Sequence, residues 1–208
     1  MAKTINDIGE FGLIERIKKT AQKIPKNSRV LLGIGDDAAL FKLPPGKICA
    51  ATTDTMVEGV HFDLSYTSFY DLGYKAMAAN LSDIAAMGGN PLMALVSLSL
   101  PTKTGIRDMD RLYAGMQALA KKHGVIIAGG DIVKSRELSV TLTLLGVCDP
   151  KNTGLRSGAK PGDAVLVITV AVRASAARGR SRRHARRIGP GRMAAPAVVA
   201  RSAIASAI

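Results

Sequence analysis

The 208-residue chain has no tryptophan, only four phenylalanines and four tyrosines, and two cysteines. Cys49 and Cys148 stand far apart and belong to no CxxC or Cys/His spacing, which argues against a disulfide framework or a zinc site and for a reducing compartment. No run approaches the roughly 18 apolar residues that a membrane helix needs. Met1 to Lys19 have neither an apolar centre nor a cleavage signature, so the segment does not read as a secretory signal. The expected location is the cytoplasm, with no membrane partner. A Walker A loop is also missing: Gly158–Pro161 reads GAKP, which lacks G-x-x-x-x-G-K-[ST]. No residue reads as a nucleophile.

Acidic residues are absent from one end. The formal net charge is +13, but residues 170–208 carry nine arginines and no acid, which leaves +4 for residues 1–169. The basic character is therefore a property of the tail, and a whole-chain argument for nucleic-acid binding does not follow from it. The tail is built from Ala, Arg, Gly and Ser around Arg178–Arg187, without period or caps. It cannot bury enough apolar surface to offset chain entropy, and disorder is the expectation.

What is present is a set of aspartates beside small residues: Gly33-Ile34-Gly35-Asp36-Asp37, Thr52-Thr53-Asp54, Asn80-Leu81-Ser82-Asp83 and Gly129-Gly130-Asp131. Carboxylates gathered together repel one another unless a cation lies among them. Mg²⁺, a hard ion with oxygen ligands that commonly shares its shell with phosphates, suits them best. The pattern points to a nucleotide phosphate site.

Periodicity predicts a short amphipathic helix over 10–17. Strands are predicted over 29–34, 38–41 and 48–53, and a helix over 71–87 that Gly88-Gly89-Asn90-Pro91 stops. A strand over 92–100 follows, then a helix over 109–122 closed by Gly124, and strands over 125–128 and 138–147. After a polar loop, 164–169 reads as one more strand. The class is mixed α/β (α+β), a mixed sheet with flanking helices.

GIGDDAAL (33–40), TTDTMVEGVHF (52–62), YKAMAANLSDIAAMGGNP (74–91), AGGD (128–131) and GLRSGAKPGD (154–163) closely resemble thiamine-monophosphate kinase, as does the opening GEFGLI (9–14). The wider superfamily includes aminoimidazole ribonucleotide synthetase and selenophosphate synthetase. The resemblance covers about residues 9–169, the front half of a family member. It implies an N-terminal ATP/Mg²⁺-binding and dimerisation domain over 1–150 and the start of a truncated C-terminal domain over 151–169. The tail over 170–208 departs from the family pattern, as a shifted reading frame in GC-rich DNA would.

The resemblance also implies roles. Asp37, Thr52, Thr53, Asp54, Asp83 and Asp131 would hold Mg²⁺. Asp37, Tyr113, Gly130, Asp131 and Arg156 would contact ATP, the phosphoryl donor. His61 would contact thiamine monophosphate. An ordinary half-buried helix tyrosine is an equal reading of Tyr113, and a contact between Asp83 and Lys75 is the alternative to metal binding. The implied reaction makes thiamine diphosphate by in-line transfer. It needs no dedicated base, because the acceptor phosphate is already anionic and such transfers rest on positioning and charge neutralisation. A homodimer is expected. The alternatives are another ATP-dependent enzyme of the superfamily, a catalytically dead nucleotide-binding or dimerisation fragment, and a nucleic-acid binder acting through residues 173–192. No specific nucleic-acid partner is expected.

Deleting residues 172–208 is expected to shift the thermal midpoint by no more than a few degrees. It should also abolish any retention on DNA or RNA at low salt, since counterion release by arginines drives such binding. Thermal melts and low-salt column retention check both outcomes.

Overall fold

The computed structural model describes residues 3–21 and 23–163. The predicted strand 164–169 and the basic tail lie outside the described residues. The elements in order are α1 (Ile5–Thr20), β1 (Val30–Leu32), β2 (Leu40–Phe41), β3 (Ile48–Val57), α2 (Phe69–Ala86), β4 (Asn90–Leu100), α3 (Ile106–His123), β5 (Ile126–Lys134), β6 (Ser139–Cys148) and a single 3₁₀ turn, Arg156–Gly158. The mixed α/β class read from the pattern is the one observed.

Both long helices have local reasons to form. Ser68 caps α2: its Oγ accepts the Asp71 N–H at 3.1 Å and donates to Asp71 Oδ2 at 2.6 Å, which satisfies one of the otherwise unpaired N–H groups of the first turn. In α3, Ile106, Met109, Leu112, Tyr113, Met116, Leu119 and Ala120 are buried, the three-and-four spacing of a single apolar stripe. Gly124 closes that helix at φ 69°, a left-handed conformation that glycine adopts without a Cβ penalty.

Four strands form the main sheet in the order β3-β6-β4-β5, so β3 and β5 are its edges. The β4–β5 pair is parallel; β3–β6 and β4–β6 are antiparallel. Side chains alternate between two unlike faces. Met56, Leu98, Val140, Leu142 and Leu144 join residues of α2 and α3 in the core. Among the described residues the opposite face is covered at one end only, where Val30 of β1 packs with Met93, Ile126 and Ala128, and Phe41 of β2 joins them. The rest of that face is hydroxyl-rich: Thr53 meets Thr143 at 3.0 Å and Thr55 meets Thr141 at 2.8 Å. An alternation of apolar and hydroxyl residues along β6 thus produces one dry face and one polar face.

Two strands run well past their expected C-terminal ends. The expected strand 48–53 extends to Val57, so Thr52, Thr53 and Asp54 sit within β3 rather than at its end. The expected strand 125–128 continues through Gly129, Gly130 and Asp131 to Lys134. The second extension needs a glycine: a Cβ on Gly130 would lie 1.8 Å from the carbonyl oxygen of Val96 on β4. Glycine reads as a turn in the sequence, but here it lets two backbones approach.

The two helices cross just as tightly. A Cβ on Gly115 of α3 would lie 2.0 Å from the carbonyl oxygen of Tyr70, and one on Gly73 of α2 would lie 2.0 Å from that of Leu112. The Gly115→Ala variant is expected to lose about 1–3 kcal/mol, the usual cost of overpacking, because backbone rather than a flexible side chain must yield. Chemical denaturation reads this loss directly. The control, Gly158→Ala, meets open space and is expected to change little.

Candidate functional site

The α2–α3 crossing seats α2 over β3, antiparallel to it, and this brings Asp83 to Thr52. The Thr52 hydroxyl donates to Asp83 Oδ2 at 2.7 Å. Asp54, two residues along β3 and on the same face, is half-buried and accepts no hydrogen bond from the described residues. Its carboxyl pKa is raised from the ordinary value, first by burial and then by the charge of Asp83. No lysine or arginine pairs with Asp54 or Asp83 among the described residues. The alternative partner of Asp83, Lys75, instead donates to the backbone carbonyl of His61 at 2.7 Å. One helical turn before Asp83, Asn80 is fully buried; its Nδ2 donates to the Ala76 carbonyl at 3.1 Å, and its Oδ1 accepts nothing from the described residues. The first half-site is thus Thr52, Asp54 and Asp83, a set of hard oxygens with a surplus of negative charge and no cation from the described residues.

Asp131 lies elsewhere. Asp54 pairs with Leu142, Leu142 with Val96, and Val96 with Gly130, so Asp54 and Gly130 share a row across all four strands. Three inter-strand steps separate them, about 14 Å. Asp131, the next residue on β5, is in register with Ser97 and faces the hydroxyl-rich side, away from α2. Asp37 lies in the loop that follows β1. Its loop leaves β1 at Gly33, where a Cβ would lie 3.6 Å from the Ala128 carbonyl oxygen of β5. Asp37 is exposed, and its N–H donates to the Oδ1 of Asp36 at 2.9 Å, which turns the Asp36 carboxylate back on its own loop. Within a single copy, Asp54 and Asp131 therefore lie on opposite edge strands of the sheet. Among the described residues no three His, Cys, Asp or Glu side chains come together as a metal site.

The remaining predicted residues are scattered around these sets. Thr53 faces the polar side and bonds Thr143. Arg156 is exposed on the 3₁₀ turn. Two residues earlier, the Gly154 N–H donates to the Met87 carbonyl at 3.1 Å, which ties this segment to the end of α2 nearest Asp83. Tyr113 is only 6 % exposed, within the core, and burial pushes its phenol well above the usual range. Its chemical surroundings are those of a packing residue. His61 is exposed on the turn that follows β3. The i, i+3 spacing puts Asn80 on the face of Asp83, and its place within the apolar stripe of Leu72, Ala76 and Ile84 accounts for its burial.

Asp54 supplies a pH test. Its folded-state pKa is raised, so the folded chain holds that proton more tightly than the unfolded chain does. The ionised group therefore costs stability at neutral pH, and the cost disappears as pH falls through the raised folded value toward the unfolded value of 3.8. In metal-free buffer, Asp54→Asn is expected to melt higher than the parent at pH 7, with the difference closing near pH 4. Thermal melts across that range measure it.

Residues 35–148 match the family described as "AIR synthase related protein, N-terminal domain". Thiamine-monophosphate kinase of Bacillus subtilis is 47% identical over 159 residues, which is 76% of this chain and 48% of that protein. The crystal structure of thiamine-monophosphate kinase from Stenotrophomonas maltophilia is 36% identical with a TM-score of 0.59, covering 70% of this chain and 44% of that one. A structure of AaThiL complexed with AMPPCP and TMP is also 36% identical, with a TM-score of 0.54, covering 78% and 49%. The chain spans about half the length of the curated relatives it matches. With the sheet, the helices over it and these matches all agreeing, the chain belongs to the AIR synthase related family and carries its N-terminal domain.

Proposed function

We propose that this chain is the nucleotide-binding part of a thiamine-monophosphate kinase, which forms thiamine diphosphate from thiamine monophosphate and ATP. The observation that carries the reading is the hydroxyl–carboxylate set of Thr52, Asp54 and Asp83, a hard-oxygen shell without a cation from the described residues. The names of the relatives and the AMPPCP and TMP of the AaThiL complex supply the donor and acceptor classes. The residues fit Mg²⁺. Thr52, Asp54 and Asp83 would hold it from β3 and α2; Asp37 and Asp131 would hold it from the β5 side. When bound, Mg²⁺ neutralises phosphate charge as the phosphoryl group moves. Gly130 keeps the backbone bare beside Asp131, and Arg156 offers a planar grip on phosphate.

A homodimer reconciles the two aspartate sets. They occupy opposite edge strands, so a two-fold copy that brings its β5 edge to the β3 edge of the first would join Asp54 and Asp83 of one copy to Asp131 of the other. The hydroxyl-rich sheet face, covered among the described residues only by β1–β2, would then be enclosed. Two such sites arise, because a two-fold interface repeats each contact. The surroundings proposed are cytoplasmic. Complete thiamine-monophosphate kinase activity is not proposed for residues 1–208, since the matched relatives are about twice the length of the matched region. Misplacement of reacting groups is poorly tolerated in such transfers.

Asp54→Asn and Asp131→Asn are each expected to weaken Mg·ATP binding at least several-fold in calorimetry. An equimolar mixture, exchanged to equilibrium, is expected to regain about one native site in four, because each mixed dimer holds one intact pair. Unchanged affinity in both variants would remove the metal assignment. Two weakened variants that never complement would instead reject the shared site.

A further inference from the structure

Just beyond Asp54, β3 ends in a turn whose hydrogen bonds leave one group pointing outward. The His61 N–H donates to the Val57 carbonyl at 2.9 Å, and the Gly59 N–H donates to the Phe62 carbonyl at 2.8 Å. Gly59 adopts φ 76°, which favours glycine. Phe62 is 5 % exposed and anchors the turn in the core. The His61 ring folds back on its own turn: the Val57 N–H donates to Nδ1 at 3.1 Å. A neutral imidazole that accepts at Nδ1 carries its proton on Nε2. That Nε2–H makes no hydrogen bond to the described residues, and His61 is exposed.

A second element holds the turn from outside. Lys75, on the exposed side of α2, donates its Nζ to the His61 carbonyl at 2.7 Å. It pairs with no carboxylate among the described residues. A lysine whose charge serves a backbone carbonyl gains a charge-assisted bond and spends its side-chain freedom on one turn. α2 also carries Asp83, so the same helix positions both the metal half-site and the His61 turn. Val57 lies three residues beyond Asp54, about 10 Å along an extended strand, within the span of one phosphorylated small molecule.

We propose that Lys75 is a positioning residue: it fixes the Val57–Phe62 turn so that His61 presents a permanent Nε2–H donor to a phosphate oxygen of the acceptor substrate. The proposal rests on the reading above that the acceptor is a phosphate monoester. It adds the proton-bearing nitrogen, the group that orients it, and the chemical feature of the substrate that it recognises.

Long-range ¹H–¹⁵N NMR of the imidazoles in the 208-residue chain tests it. The spectrum is recorded near pH 8, well above the ordinary histidine pKa of about 6.5. The Asn variant at position 61, His61→Asn, identifies the signal among the three histidines. His61 is expected to show an unprotonated Nδ1 and a protonated Nε2, without averaging between them. Lys75→Met is expected to average the two nitrogens and to speed exchange of the Val57 amide by roughly tenfold, the scale of one lost hydrogen bond. Lys75→Arg should restore both. Thiamine monophosphate should shift Nε2, and unphosphorylated thiamine should not. An averaged His61 in the parent chain, or a fixed tautomer that survives Lys75→Met with an unchanged Val57 amide, overturns the positioning role. A fixed His61 that ignores thiamine monophosphate overturns the donor role, and leaves the metal half-sites to be judged by calorimetry.

Discussion

The close crossing of α2 and α3 is the constraint on which the site depends. Gly73 and Gly115 leave no room for even one added carbon against the opposing backbone. That contact lets α2 lie flat over β3 and β6, with Leu72, Ala76, Met77 and Ile84 buried beneath it. Asp83 follows on the flank of the same stripe, and its height over the sheet is what brings it to Thr52. A helix raised by one larger residue would hold its carboxylate away from β3. The apolar core and the polar site are thus set by one packing distance.

Electrostatics explains why the arrangement asks for a cation. Asp54 and Asp83 share a partly dehydrated strip, and the Asp54 carboxyl is raised by burial and by its neighbour's charge. A structural ion pair would have placed a lysine between them. Lys75 lies two turns away on α2, yet it binds the His61 carbonyl instead. Among the described residues, the charge at Thr52–Asp54–Asp83 thus has no cation beside it, while one cation serves the turn that follows β3. This division of labour suits the proposed metal-dependent phosphate site with an oriented substrate donor.

Much of the fold was legible because its elements are strongly patterned. The stripe in α3 and the apolar–hydroxyl alternation of β6 announce a helix and a strand with one buried face each. The limits that sequence missed have local causes. Gly129-Gly130 reads as a turn, but it is a place where β4 and β5 backbones meet, so β5 runs on and Asp131 becomes a strand residue. Thr52-Thr53-Asp54 reads as a strand end because Asp is a poor strand former, yet tertiary pairing with β6 carries β3 to Val57. A set of candidate site residues was available to motif resemblance. Their separation was not, because strand order is a long-range property: only the order β3-β6-β4-β5 puts Asp54 and Asp131 at opposite edges and on opposite faces. Nor could sequence assign the proton of His61, which depends on the Val57 N–H four residues earlier.

The central claim is that one Mg²⁺ shell is shared between two copies of this domain. Crystals of the chain grown with Mn²⁺ in place of Mg²⁺ and a non-hydrolysable ATP analogue would show the ion by its anomalous scattering. The account predicts peaks flanked by Thr52, Asp54 and Asp83 of one copy and by Asp131 of the two-fold-related copy. Peaks ligated by side chains of a single copy alone, or no peak at the Thr52–Asp54–Asp83 set, would contradict it.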